Sequence, residues 1–370
     1  MVVSREPSWF CSSSAVAPVV AVDWMSFSCL LSDEWERVPW NVPMGWGVER
    51  CSPTAVWSER HIVRDADGNK VCTLLAVPRS GLLDCRRAVV EVANRWLYYD
   101  DWREMFDKSL SIKGLAVTGI NRVDLAGDFE MTASRWETYS CLASGCAYLK
   151  GVRAGTKWWR VLDGMRMAHQ MSWGGKESVF KWKVYYKWLE LEEAGPDAKK
   201  EYIRETWRVC GMRERFVWRC EVSITDAHRL VVGADGGRLG AYEWMEKRAE
   251  VWRGLVNQKF VVRMDDGHAD RRHDRVLPFL DVDDGVRLFH GLPAGSRDDS
   301  DPERRVAVKL WSELMAGDVE ANRSLRDVLA GALWGLLERP AVVDALCRAY
   351  SLTPTEIRDA LCDAKEKVPL

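Results

Sequence analysis

Tyr185 lies in the run Phe180-Lys-Trp-Lys-Val-Tyr-Tyr-Lys187, with Lys183 and Lys187 two residues to either side. In a strand, successive side chains point to opposite faces. Lys181, Lys183, Tyr185 and Lys187 would then share one face, and Phe180, Trp182, Val184 and Tyr186 the other. A phenol has an ordinary pKa near 10, so it becomes a useful nucleophile only where cations favour the phenolate. The same cations would offset charge on a pentacovalent phosphate. Two other segments supply complementary groups. Gly119 to Asp128 puts Arg122, Asp124, Ala126 and Asp128 on one side. Phe216 to Ile224 puts Arg219, Glu221 and Ser223 opposite a core-facing row of Phe216, Trp218, Cys220, Val222 and Ile224. If the three strands are neighbours, one sheet face gathers a tyrosine, carboxylates and cations, a set sufficient for phosphodiester transesterification. A Mg²⁺ or Mn²⁺ ion on Asp124 and Glu221 would polarise the phosphate. Asp128, about 13 Å from Asp124 on a straight strand, ranks second as a ligand.

Blander readings fit the same residues. A Lys-Tyr-Lys face also describes a solvated sheet surface, and Asp124 could pair with Arg122 for structure alone. His268 and His273, with Asp266, Asp270 and Asp274 around them, read as an exposed polar loop with a metal site as the alternative. No histidine-hydrophobic-histidine motif, GxSxG or HExxH occurs. No P-loop occurs either, so strand separation would need a separate helicase.

These groups must be carried by elements, and the pattern suggests which. Val19 to Leu31, Leu115 to Glu130, Ser178 to Leu189 and Phe216 to Ile224 read as strands. Ser58 to Val77 reads as a hairpin turning at Asp65 to Asn69. Asp84 to Leu110, free of Pro and Gly after Asp84, reads as a helix, as do Asp197 to Val209 and about Tyr242 to Leu255. Thr353, Pro354 and Glu356 form a capping-box signature for a last helix. The expected fold is α+β: a central, largely antiparallel sheet flanked by helices, with a small C-terminal helical domain. The expected division is residues 1–262 for the catalytic and DNA-binding domain, 263–305 for a linker or exposed loops, and 306–370 for the helices.

Composition sets the outer bounds. The 370 residues carry a net charge of -2, yet Lys150 to Phe260 holds 22 Lys+Arg against 15 Asp+Glu. A +7 middle against a -9 remainder is the footprint a phosphate-binding surface requires, and also what a solvated surface can show. Of 20 Trp residues, 18 precede Phe260; they could stack on unpaired bases or fill cores. The 11 cysteines lack CxxC pairs or zinc-type spacing, which suits free thiols in a reducing cytosol. No segment approaches the roughly 20 apolar residues of a membrane helix, so a cytoplasmic protein without a membrane anchor is expected.

Four motifs occur in order: Val22-Asp23-Trp24; Arg122-Val-Asp-Leu-Ala-x-Asp128; Gly174, Ser178, Val184, Tyr185, Lys187 and Glu190; and Trp218-Arg-x-Glu221. In order and spacing, over roughly residues 19 to 262, this resembles the trans-acting rolling-circle replication initiators. That family comprises plasmid and phage Rep proteins and some conjugative-element relaxases. The resemblance implies metal-dependent nicking and joining of one DNA strand through a 5′-phosphotyrosyl intermediate. It implies Tyr185 as nucleophile, with Asp124 and Glu221 at the positions of acidic metal ligands. Lys183, Lys187 and Arg219 would hold phosphates, and Lys181 and Arg122 would add to DNA binding. The family has Asp or Asn between the Tyr and the Lys, where this chain has Tyr186. The nucleophile therefore lies between Tyr185 and Tyr186, and the strand-face argument favours Tyr185. Implied partners are origin DNA, duplex and single-stranded, and a host helicase, with a homodimer as one option. A conjugative relaxase and a non-catalytic origin-binding protein on the same fold are the alternatives.

Overall fold

The computed structural model describes residues 11, 16–79, 85–152, 154–162, 164–175, 178–195, 197–225, 227, 239–268, 270, 273–280, 343, 346–347 and 353–357. Most of the expected C-terminal helical domain lies outside the described residues. Its capping box is among them: Thr353 N donates to Glu356 Oε2 at 2.7 Å, and Glu356 N to Thr353 Oγ1 at 3.3 Å. Backbone contacts divide the chain into two units, Met1–Glu49 with Ile62–Leu74 and Val89–His290, and Arg50–His61 with Leu75–Ala88 and Gly291–Leu370. The candidate chemistry lies in the first.

The strands are β1 (Val19–Leu30), β2 (Gly47–Cys51), β3 (Trp57–Arg64), β4 (Lys70–Pro78), β5 (Arg87–Val92), β6 (Ala116–Glu130), β7 (Ala147–Leu149), β8 (Ala154–Leu162), β9 (Met165–Trp173), β10 (Phe180–Tyr185), β11 (Val217–Thr225), β12 (Val262–Met264) and β13 (Val276–Leu277). The helices are α1 (Trp102–Ser111), α2 (Ala133–Ser144), α3 (Lys187–Glu193), α4 (Ala198–Val209), α5 (Ala241–Glu246) and α6 (Arg248–Lys259). Ten strands form one sheet in the order β2-β3-β4-β5-β1-β6-β11-β10-β9-β8, and β13-β12-β7 form a second. The run from β1 through β6, β11, β10 and β9 to β8 is antiparallel throughout. The fold is α+β around a large antiparallel sheet.

Three expectations need correction. Asp84 to Leu110 is not one helix. It contains β5, a 3-10 turn at Asn94–Leu97, and α1. Ala88, Val90 and Val92 are buried while their neighbours are not, a strand period of two set beside good helix formers. The strand expected to reach Leu189 stops at Tyr185, and Lys187 opens α3. The helix at Tyr242 to Leu255 is two, broken at Lys247. By contrast α4 matches the helix expected over Asp197 to Val209, with Asp197 as its cap accepting from Lys199 N at 2.8 Å. The hairpin β8–β9 had no counterpart in the sequence reading. No helix among the described residues is long and apolar enough to cross a membrane, and the ten described cysteines are free thiols.

The apolar face of β6, β11 and β10 is the core. Val123, Leu125, Phe129, Trp218, Cys220, Val222, Trp182 and Val184 are all buried there. From α2, Tyr139 meets Trp218 with ring centroids 4.9 Å apart, and α6 lays Trp252 against Gly127. A Cβ on Gly127 would stand 2.2 Å from that ring. Trp252 cannot retreat, because it is fully buried and its Nε1 donates to the Cys220 carbonyl at 3.1 Å. Gly127→Ala is therefore expected to lower stability by about 1–3 kcal/mol through overpacking, read as an earlier urea midpoint at unchanged slope.

Candidate active site

The strand register brings the expected residues onto one face. Glu221 pairs with Ala126 on one side and with Lys183 on the other; Arg219 pairs with Asp128 and with Tyr185; Ser223 pairs with Asp124. Tyr185, Lys183, Arg219, Glu221, Asp124 and Asp128 thus belong to three adjacent strands. The Tyr185 hydroxyl donates to Glu221 Oε2 at 3.3 Å. Lys183 Nζ stands 4.1 Å from the centre of the Tyr185 ring and Lys187 Nζ 5.5 Å. Lys181 sits opposite Ser223, further along the same face.

Tyr186 takes the other side. Its ring stacks on Trp218 at 5.1 Å and 16°, and its hydroxyl donates to the Arg215 carbonyl at 2.6 Å. Both tyrosines are buried, but Tyr185 carries its hydroxyl to the polar face. Both tyrosines border a recess of about 380 Å³, shared with His169, Gln170, Lys183 and Glu190.

The polar face changes character along its length. At one end α4 covers it, where Tyr98, Leu191, Ile203, Trp207, Met212 and Val217 pack together. Arg219, expected to hold a phosphate, is sealed in at this end with 0% exposure. Its guanidinium reaches Asp128 Oδ1 at 2.6 Å and Oδ2 at 2.9 Å, and the Tyr98 hydroxyl at 3.0 Å. Trp207 Nε1 also donates to Asp128 Oδ2 at 2.9 Å. Asp128 is thus engaged by Arg219 and Trp207. At the other end, the Arg122 guanidinium, 42% exposed, grips Asp124 with bonds of 2.8 and 2.5 Å. This is the structural pairing the sequence allowed, although Arg122 itself stays at the surface.

Asp23 joins the set and was not among the expected site residues. In the β1–β6 register Val22 faces Leu125 and Trp24 faces Asp124, so Asp23 is an extra residue at a bulge. Bulges re-aim side chains. Asp23 Oδ1 accepts from the Tyr98 hydroxyl and from Lys199 Nζ, both at 2.8 Å, and Oδ2 lies 3.8 Å from Arg219. The Val22-Asp23-Trp24 motif was its only signal in the sequence. Tyr98, brought in by the 3-10 turn, had none.

Charge crowding shapes the titration of these groups. Burial is the main influence on Glu221 and raises its pKa, and the nearby Asp23 and Asp124 carboxylates raise it further. Asp124 is also raised, because burial outweighs its bond to Arg122. For Asp23, burial is again the largest influence, but Arg219 and Lys199 together outweigh it and hold the carboxyl well below its usual range. Burial holds the Tyr185 phenol well above 10; Arg219 works against that, and Glu221 works with it. Burial, then Arg219, bring Lys187 down to about 8. Between about 8 and its ordinary 10.5, the unfolded chain keeps a proton at this lysine that the folded chain has released. Stability should therefore rise with pH across that window, by up to about 3 kcal/mol. Lys187→Met should remove that rise, a difference visible in urea titrations at pH 7 and pH 10.

Glu221 and Asp124 offer oxygen donors of the type a divalent cation takes, and both Asp124 oxygens are engaged by Arg122. Glu221 and Asp124 are oxygen ligands whose charged forms are held back by burial and mutual repulsion, a state that a cation would relieve. Glu221 and Asp124 would hold it, with Asp23 beside them. Among the described residues the oxygens of these three acids do not all come within 4.8 Å of one another. Asp266, His268 and Asp274 do, in the segment expected to be a polar loop.

Comparison with known proteins adds one likeness. No protein-family model and no curated protein matches the chain. Three solved chains match, among them the rolling circle replication initiator protein from Geobacillus stearothermophilus. It is 14% identical, with 71% of this chain and 94% of that one covered and a TM-score of 0.39.

Proposed function

We propose that this chain is a rolling-circle replication initiator that cuts and rejoins one DNA strand through Tyr185. The supporting observation is the grouping of a phenol, three acids (Asp124, Asp128 and Glu221) and four cations (Arg122, Lys181, Lys183 and Arg219) on adjacent strands, with the phenol bonded to Glu221. Tyr185 Oη attacks the phosphorus; the P–O3′ bond breaks, the 3′-oxygen leaves with a proton, and a 5′-phosphotyrosine forms. Attack on that linkage by a 3′-hydroxyl restores the phenol and closes the strand. Mg²⁺ or Mn²⁺ on Asp124 and Glu221 would supply polarisation of the phosphate.

The chain's own groups divide the remaining work. Glu221 Oε2 accepts the phenolic hydrogen bond and orients the hydroxyl. Lys187, with its pKa brought down to about 8, is suited to exchange the proton. Arg219 favours the phenolate from behind without touching DNA, while Lys183, Lys181 and the exposed Arg122 meet phosphates. Origin DNA is the implied partner, and a helicase would act beside it.

The test is incubation with a supercoiled plasmid carrying the candidate origin, in Mg²⁺ or Mn²⁺. Nicked circles and a protein–DNA adduct that survives denaturation are the expected products. One observation favours a second reading, a non-catalytic DNA-binding protein on this fold: Tyr185 is only 6% exposed and both Asp124 oxygens are held by Arg122. DNA binding without any adduct in either metal would establish that reading.

A further inference from the structure

The loop joining β12 to β13 carries a second cluster, on a different sheet from Tyr185. Its backbone is closely held: Met264 N donates to the Arg275 carbonyl at 2.9 Å and Asp265 N to the Cys146 carbonyl at 2.8 Å. Gly267, with φ of +73°, turns the chain, and its N–H reaches Asp265 Oδ1 at 3.3 Å. This folding brings ligand atoms of Asp266, His268 and Asp274 within 4.8 Å of one another.

Asp274 is the decisive member. It is 2% exposed, yet among the described residues its Oδ1 has no hydrogen-bond partner. Its Oδ2 accepts from the Tyr148 hydroxyl at 2.7 Å. Among the described residues no cationic side chain pairs with this carboxylate. A buried carboxylate left without a counter-charge is costly, and buried charges are usually paired or bound to metal. Asp266 is also held through one oxygen, Oδ2 accepting from Arg275 N at 3.0 Å. Fixing one oxygen of each acid is how outer partners aim metal ligands. His268 and Asp266 are exposed, so water can reach an ion held there and fill the remaining positions.

We propose that Asp266, His268 and Asp274 bind a transition-metal dication of the zinc class, which clips the β12–β13 loop. An imidazole with two carboxylates matches the nitrogen and oxygen donors zinc takes at about 2.0–2.2 Å. Magnesium prefers an octahedron of oxygens.

The test is calorimetric titration of the metal-stripped full chain with Zn²⁺ alone, with circular dichroism as a check on folding. The wild type is expected to take up Zn²⁺ at a site that Mg²⁺ does not fill. His268→Ala, a change at an exposed position, should abolish that site, and Asp274→Asn should do the same. Tyr148→Phe should weaken it about 10–100-fold, whereas Asp124→Asn should leave it intact. Equal Zn²⁺ uptake by His268→Ala, loss of the site in Asp124→Asn, or no uptake by the wild type would each overturn the assignment. None of these outcomes depends on whether the chain nicks DNA.

Discussion

Arg219→Met is expected to cost about 3–5 kcal/mol of stability, the usual penalty for breaking a buried ion pair from one side. The mutation leaves the Asp128 carboxylate, 4% exposed, with the Trp207 indole as its remaining donor among the described residues. It also removes the donor that the Tyr98 hydroxyl receives and a cation 3.8 Å from Asp23 Oδ2. The second arm separates the pair from its surroundings. Arg219→Met with Asp128→Leu replaces both charges by apolar groups, and such swaps are often close to neutral. The double variant should therefore unfold in urea at a higher concentration than Arg219→Met alone. A single variant that loses less than about 1 kcal/mol would mean that water already reaches the pair.

That expectation shows where strand periodicity informs and where it stops. Alternation in β6, β10 and β11 was enough to sort Asp124, Glu221, Lys183 and Tyr185 to one face and Tyr186 to the other, because the period of two is set by the backbone. Depth was not legible. Arg219 alternates like a surface cation, and only the docking of α4, with Trp207 over Asp128, encloses it. A cover of that kind depends on contacts between segments far apart in sequence. Asp23 escaped for a different reason. One extra residue in β1 re-aims it, and a bulge leaves no periodic trace in twelve residues. The misread β5 did leave one: Ala88, Val90 and Val92 alternate, but the run lies beside good helix formers that extend the helical pattern over it. Lys187 was assigned to a strand face and instead opens α3. It still reaches Tyr185, because the chain turns at Tyr186, whose backbone N–H is fixed to the His169 carbonyl at 2.9 Å.

Tyr185→Phe should reduce nicking by on the order of 10⁴-fold or more, the scale seen when a nucleophile is removed, and should leave no covalent adduct. The substitution removes one oxygen and keeps the ring beneath Lys183, so the fold should survive. Glu221 Oε2 loses its 3.3 Å donor, a weak bond whose absence costs about 1 kcal/mol or less. Tyr186→Phe is the control for the adjacent phenol. It removes a 2.6 Å bond to the Arg215 carbonyl and should cost stability of about 1 kcal/mol while the adduct still forms. The two variants thus differ in chemistry at similar cost in stability, Tyr185→Phe losing the adduct and Tyr186→Phe keeping it. If the adduct persists in Tyr185→Phe and vanishes in Tyr186→Phe, the chain must turn the stacked ring out from Trp218 to react, and the face that gathers Glu221 and Asp124 would not be where DNA is cut.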